Sequence, residues 1–178
     1  MSAEARLAEL GIELPGLLPS VGNYLPAKRH GDLVFVSGHG PLALARLPGK
    51  LGDEISLEAG LGALIQGKVG SEISLEAANE AARVVGLFLL SALRVEVGSL
   101  DLVCSVLKVF GMVNCAPGFT NTAGVIDGCS DLLVEVFGEQ AGRHARSAVG
   151  MAELPLNIPV EIEMVVAVYG DGVGARHA

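Results

Sequence analysis

The run LVCSVLKVFGMVN, Leu102 to Asn114, limits the possible folds more than any other part of the chain. It is rich in β-branched and aliphatic residues, and alternation gives it two faces. Val106, Lys108, Phe110 and Met112 form one face, and Leu107, Val109, Gly111 and Val113 form the other. With apolar side chains on both sides, it reads as the central strand of a sheet that needs cover above and below.

The flanking segments say what provides that cover. LVFVSG, residues 33–38, is a short strand bounded by turn formers, after a Pro- and Gly-rich stretch, PGLLPSVGNYLPAKRHGD, that reads as loop. A short amphipathic helix precedes it in SAEARLAELGIEL. Ser74 opens a helix over about 75–94, with Ala78, Ala81, Ala82, Val85, Phe88 and Leu89 on its packing face. A second helical pattern runs from Val125 to Phe137 and stops at Gly138. ARSAVGMA (145–152) and VEIEMVVAVY (160–169) are strands, expected to pair antiparallel across ELPLNIP, and 170–178 is a loosely held tail. One more hairpin strand is expected around 42–55. The order predicts a single α+β domain over 1–178, a mixed sheet with both helices on one face. The other face is left for subunit packing.

Composition fits that arrangement. Half of the residues (51%) are hydrophobic and only 18% are charged, few for a surface that meets water on all sides. The apolar stretch VVGLFLLSAL, 84–93, is shorter than the roughly 20 residues that span a bilayer and reads as a buried helix. A net charge of −8 and no basic run longer than Lys28-Arg29 argue against nucleic acid as partner. The three cysteines have no metal-binding spacing and the first residues lack an apolar secretion signal, so a reducing cytoplasm is expected. Cys104 and Cys129 read as core residues, and Cys115 as a loop thiol. The four histidines show no ligand spacing, and no dinucleotide or phosphate-loop motif is present; neither metal nor cofactor is expected.

An internal duplication stands apart from these elements. GKLGDEISLEA at 49–59 returns as GKVGSEISLEA at 67–77, offset by 18 residues with two differences. Two copies do not make a solenoid. One copy should occupy the fold's own position and the other form a surface excursion.

Arg146, Glu161 and Glu163 are the first candidates for chemistry. If the last two strands pair, Arg146 lies opposite or diagonal to 161–165, and Glu161 and Glu163 share a face. Such a pair is either a structural ion bridge or a placed guanidinium with donors left for a planar oxoacid. Tyr24, in the loop before the first strand, is either an ordinary loop tyrosine or a ligand wall, and Ser37, Gly38 and His39 offer backbone groups at the strand end. No Ser/His/Asp constellation surrounds them.

SVGNY (20–24), LVFVSGHGP (33–41), VNCAPGFTNTAGVIDGCSDLLVEVFG (113–138) and GRHARSAVGMAELPLNIPVEIEMVVAV (142–168) together resemble the YjgF/YER057c/UK114 family, the reactive imine deaminase (RidA) or endoribonuclease L-PSP family. The resemblance implies a chorismate-mutase-like fold and a homotrimer with a barrel-like core and clefts between subunits. It implies that Arg146 clamps the carboxylate of a 2-imino acid, Glu161 positions the attacking water, Tyr24 lines the cleft, and the Gly38 backbone, next to Ser37, meets the substrate. Ala148 stands where active members carry Cys, and Asp131 where an Asn is common. The implied activity is hydrolysis of imines or enamines to 2-oxo acids and ammonia. The alternatives are a non-catalytic small-carboxylate binding protein and, disfavoured by charge, an endoribonuclease.

Overall fold

The computed structural model describes residues 1–17, 19–43 and 56–170. Within them, helix α1 (Ala3–Glu9) precedes strands β1 (Ala27–His30) and β2 (Leu33–His39). Short helix α2 (Leu57–Gly62) and long helix α3 (Leu75–Val97) follow. Then come β3 (Val103–Asn114), α4 (Thr122–Gly142), β4 (Ala145–Met151) and β5 (Val160–Val168). The sheet order is β1-β2-β5-β3-β4. All neighbours are antiparallel except β3 and β4, which run parallel because α4 carries the chain back across the sheet between them.

The α+β class, the mixed sheet and the two long helices on one face agree with the sequence reading. Val34 and Val36 of β2, Val109 and Val113 of β3, and Ile162, Met164 and Val166 of β5 are buried against α3 and α4. The two helices pack so closely that a Cβ on Gly128 would collide with the Asn79 carbonyl, so α4 needs glycine at that crossing. The helical pattern does break at Gly138, at φ +76°, but the chain resumes for one more turn to Gly142.

Four expectations are corrected. First, β4 and β5 run in opposite directions, as expected, but they are not neighbours, because β3 lies between them and bonds to both. Second, strict alternation along β3 fails: register slips between Val103 and Ser105 and between Val106 and Lys108 insert extra residues, so Val106 and Val109 both point inward. Third, Cys104 falls in the first of those slips and is exposed, not core. Fourth, the stretch before β2 is not all loop, since Ala27–His30 pairs with β2 across a two-residue turn at Gly31-Asp32.

The hairpin strand expected around 42–55 falls largely on residues 44–55, outside the described residues; Leu42 forms a single bridge to Leu64. Most of the first repeat (49–55) also lies outside the described residues, as do 171–178 of the expected tail. The repeats can still be compared at their ends. Ser56 accepts a hydrogen bond from the Ala59 amide and Ser74 from the Ala77 amide, each at 3.2 Å. The SLEA unit therefore caps a helix start in both copies. The helices differ in length because GLGALIQG follows the first copy, with glycines that end α2, whereas ANEAARVV follows the second.

Candidate functional site

The residues singled out from the sequence fall into two separate depressions. The first is a cavity of about 240 Å³ where β2 ends and β5 begins, lined by Tyr24, Gly38, His39 and Glu161 among mostly apolar neighbours. β2 is irregular here: between Val36 and His39 its register against β5 shifts, which turns Gly38 toward the Glu161 side chain. A Cβ at Gly38 would occupy the space of the Glu161 carboxylate, so only glycine lets that carboxyl lie over the strand. Burial, and then the neighbouring Glu163, raise the Glu161 pKa above the ordinary carboxylate range.

Ser37 does not line this cavity. Its Oγ donates to the Leu25 carbonyl at 2.7 Å, and its amide donates to the Pro26 carbonyl at 2.9 Å. Ser37 thus holds the loop that presents Tyr24, which is about half exposed at 49%. The His39 Nδ1 lies 2.7 Å from the Ser37 carbonyl, an acceptor, so Nδ1 carries the proton and Nε2 is the free acceptor of the neutral ring. Burial lowers the His39 pKa, partly offset by that carbonyl, and keeps the ring neutral. From sequence His39 offered only a backbone group; its side chain on the Glu161 cavity went unread because a lone histidine carries no spacing signal.

The second depression is a polar cleft between β4 and α4 that holds Arg146 and Asp131, with Ser130, Glu135, Glu139, Arg143 and His144 around them. Arg146 pairs in register with Val109, whose side chain faces the helices, whereas Glu161 pairs with Met112 on the opposite sheet face. The expected meeting of Arg146 with Glu161 or Glu163 therefore does not occur within one chain, because β3 separates them and their side chains point to opposite faces. Arg146 Nη1 instead donates to Asp127 Oδ1 at 2.8 Å and to Ser130 Oγ at 3.0 Å. Among the described residues Nε and Nη2 make no hydrogen bond, so one edge of the guanidinium stays open. Arg146 is therefore oriented by Asp127 and Ser130 of α4 and not by the glutamates of β5. Asp127 and Ser130 could have been found as an i,i+3 pair on the helix that crosses back to β4. Asp131, one residue on, is exposed on the same cleft.

Two thiols carry little reactivity. Burial pushes Cys129 up to about 12, against a small opposing pull from Arg146, and also raises Cys115, the thiol the sequence marked for testing. Among the described residues no helix is long and apolar enough to cross a membrane.

Similarity to known proteins follows the same boundaries. Residues 4–168 match the family model described as "YjgF/chorismate_mutase-like, putative endoribonuclease". Protein TCP17 of Trypanosoma cruzi is 35% identical over 164 residues, 91% of this chain and 91% of that protein. Atu1372 of Agrobacterium tumefaciens, a crystal structure of unknown function, is 35% identical with a TM-score of 0.74 over 94% of both chains. A Shewanella oneidensis protein described as a "putative endoribonuclease" is 28% identical with a TM-score of 0.80, covering 94% of this chain and all (100%) of the other.

Proposed function

The chain belongs to the YjgF/YER057c/UK114 family, and from that premise we propose that it hydrolyses small 2-imino or enamine carboxylic acids to 2-oxo acids and ammonia at a site shared between subunits of a homotrimer. Family membership supports a RidA-like deaminase or hydrolase reaction on small carboxylic acids in general. The observation that carries the finer reading is the Glu161 carboxyl. It is half-buried, raised in pKa, laid over a glycine, and open to a cavity beside Tyr24.

In this reaction water adds to the imine carbon: a C–O bond forms, the C=N bond becomes single, and Glu161 takes one proton from the water and passes it to the nitrogen. Glu161 then takes the hydroxyl proton and delivers it to the amine as the C–N bond breaks, the C–O bond becomes the carbonyl of the 2-oxo acid, and ammonia leaves. A carboxyl raised above the ordinary carboxylate range suits both halves of that transfer. Gly38 lines the cavity and gives the Glu161 carboxyl room on the strand, and Ser37 holds the Tyr24 loop in place. The open edge of Arg146 binds the carboxylate in a planar, two-bond geometry. Because Arg146 and Glu161 lie in separate depressions of one chain, both reach a single substrate only if the Arg146 cleft of one subunit meets the Glu161 cavity of the next. The outer sheet face supports such an assembly: Leu33, Phe35 and Leu107 expose 37%, 48% and 42% of their surface there.

A second reading, a small-carboxylate binding protein without turnover, has one specific observation behind it. Asp127 already neutralises Arg146, and Asp131 stands on the same cleft, so the local field is less welcoming to an anion than a lone arginine would be. Ribonuclease activity is disfavoured by the net charge of −8.

The deciding experiment measures decay of freshly generated 2-iminopropanoate and 2-iminobutanoate with wild type and Arg146→Ala, alongside the solution mass. We expect acceleration over buffer by a trimer, and a loss of about ten- to hundredfold in kcat/KM in the variant, the size of a charge-assisted hydrogen-bond pair. A folded trimer that gives no acceleration leaves the binding protein; a single-subunit mass removes the shared site.

A further inference from the structure

The Glu161 cavity has one wall that the sheet does not supply. Leu42, Ala63 and Phe88 form a small buried core apart from the main one, with Leu64 packed against it. The Leu42–Leu64 bridge ties the chain after β2 to the stretch between the two repeats, and the Ala43 amide donates to the Ala63 carbonyl at 2.7 Å. Leu64 lies between the two repeats, just after the helix that the first repeat caps, and together with Leu42 and Phe88 it faces the cavity. The stretch between the two repeats, through Gly60 and Leu64, therefore contributes to the lining of the cavity.

Another part of the lining is braced by residues 66–68. Leu156, between Pro155 and Asn157, has φ +56°, a left-handed backbone that a bulky side chain rarely adopts. Its carbonyl accepts from Gln66 Nε2 at 2.7 Å, and the Asn157 carbonyl accepts from the Gly67 amide at 2.8 Å. The Asn157 side chain in turn accepts from buried Asn114, whose own Oδ1 accepts from Lys68 of the second repeat at 2.9 Å. Gln66, Gly67 and Lys68 therefore brace a strained turn whose Leu156 side chain is 55% exposed yet lines the cavity. A leucine kept half in water on an unfavourable backbone suggests a surface waiting for an apolar partner, and Ile158 next to it extends the same wall.

We propose that this cavity is a side-chain pocket selecting 2-imino acids with bulky aliphatic or thioether substituents, of the size carried by leucine and methionine, over the methyl-bearing 2-iminopropanoate. The proposal rests on the imine-hydrolase reading for the reacting end of the substrate, where Glu161 closes the pocket. Leu42, Leu64, Phe88, Leu156 and Ile158 offer no charge to a polar side chain, and each methylene buried against such walls adds discrimination.

The test generates imines in place from leucine, methionine and alanine with an amino-acid oxidase and compares kcat/KM. Calorimetric binding of 4-methyl-2-oxopentanoate and 2-oxopropanoate runs beside it. The wild type is expected to prefer the leucine-derived imine over the alanine-derived one by at least about tenfold. Leu64→Asn should cut that ratio severalfold. Leu156→Gly should do the same while keeping the fold, because glycine accepts φ +56° without strain. Equal kcat/KM for both imines, or an unchanged ratio in folded Leu156→Gly, overturns the pocket and leaves the hydrolase standing. No turnover of any imine, with the longer oxo acid still binding at least about tenfold tighter, overturns the hydrolase and supports the pocket. No turnover and equal binding overturns both.

Discussion

Glu161 joins local structure to chemistry at a single residue. Burial and Glu163 make the folded state hold its proton more tightly than the unfolded chain does. Its contribution to stability is therefore full below the ordinary carboxylate range and is lost as pH rises through the raised value. Glu161→Gln should accordingly be more stable than wild type at pH 8, with the gap closing toward pH 4, as read by urea unfolding at the two values. If Glu161 is the base, imine hydrolysis by wild type rises with pH along a limb displaced above the ordinary carboxylate range, and the glutamine variant lacks that limb. A wild-type limb at the ordinary carboxylate value would contradict the link between burial and catalysis. At this scale much of the candidate site was readable: Arg146, Glu161, Tyr24, Gly38 and Asp131 all lie on the two depressions. What escaped were partners, Asp127 for Arg146 and the His39 ring beside Glu161, because a partner is a fact of space and these residues carry no motif.

Among the elements, the duplicated SLEA unit shows how strongly a local signal acts and where it ends. Both copies start a helix with the same serine cap, yet one helix spans 6 residues and the other 23. Removing the cap of the long helix, Ser74→Ala, is expected to cost about 1 kcal/mol of global stability, measured by denaturant unfolding. Ser56→Ala should leave global stability within about 0.5 kcal/mol, because α2 spans only 6 residues and leads into Ala63 of a small core apart from the main one. Gly128→Ala is expected to be the harsher change, about 1–3 kcal/mol, since the new methyl would meet the Asn79 backbone where α3 and α4 cross. Strand identities were legible from β-branched runs and their turn residues. Strand neighbours were not: β4 and β5 are consecutive and antiparallel, but β3 takes the place between them through the α4 crossover. The slips in β3 likewise move side chains from one face to the other with no mark in the sequence beyond the residues themselves.

For the whole molecule, the proposed shared site depends on the outer sheet face being a subunit contact. Phe35→Asp places a charge on the half-exposed aromatic of β2. Light scattering should report a fall from the assembled mass to a single subunit, and imine hydrolysis should fall with it, since Arg146 and Glu161 would no longer share a substrate. Retention of both mass and activity would remove this face from the interface. The sequence by itself determined the α+β class, the two long helices, the Ser74 cap and most of the residues that line the two depressions, because periodicity, capping and residue type act over a few neighbouring positions. Only the tertiary structure decided strand order, the faces of β3, the separation of Arg146 from Glu161 and the place of Leu64, between the two repeats, on the cavity lining. Those depend on which distant segments win the same hydrogen bonds and the same buried surface, a competition settled across the sheet and not within any one run of residues.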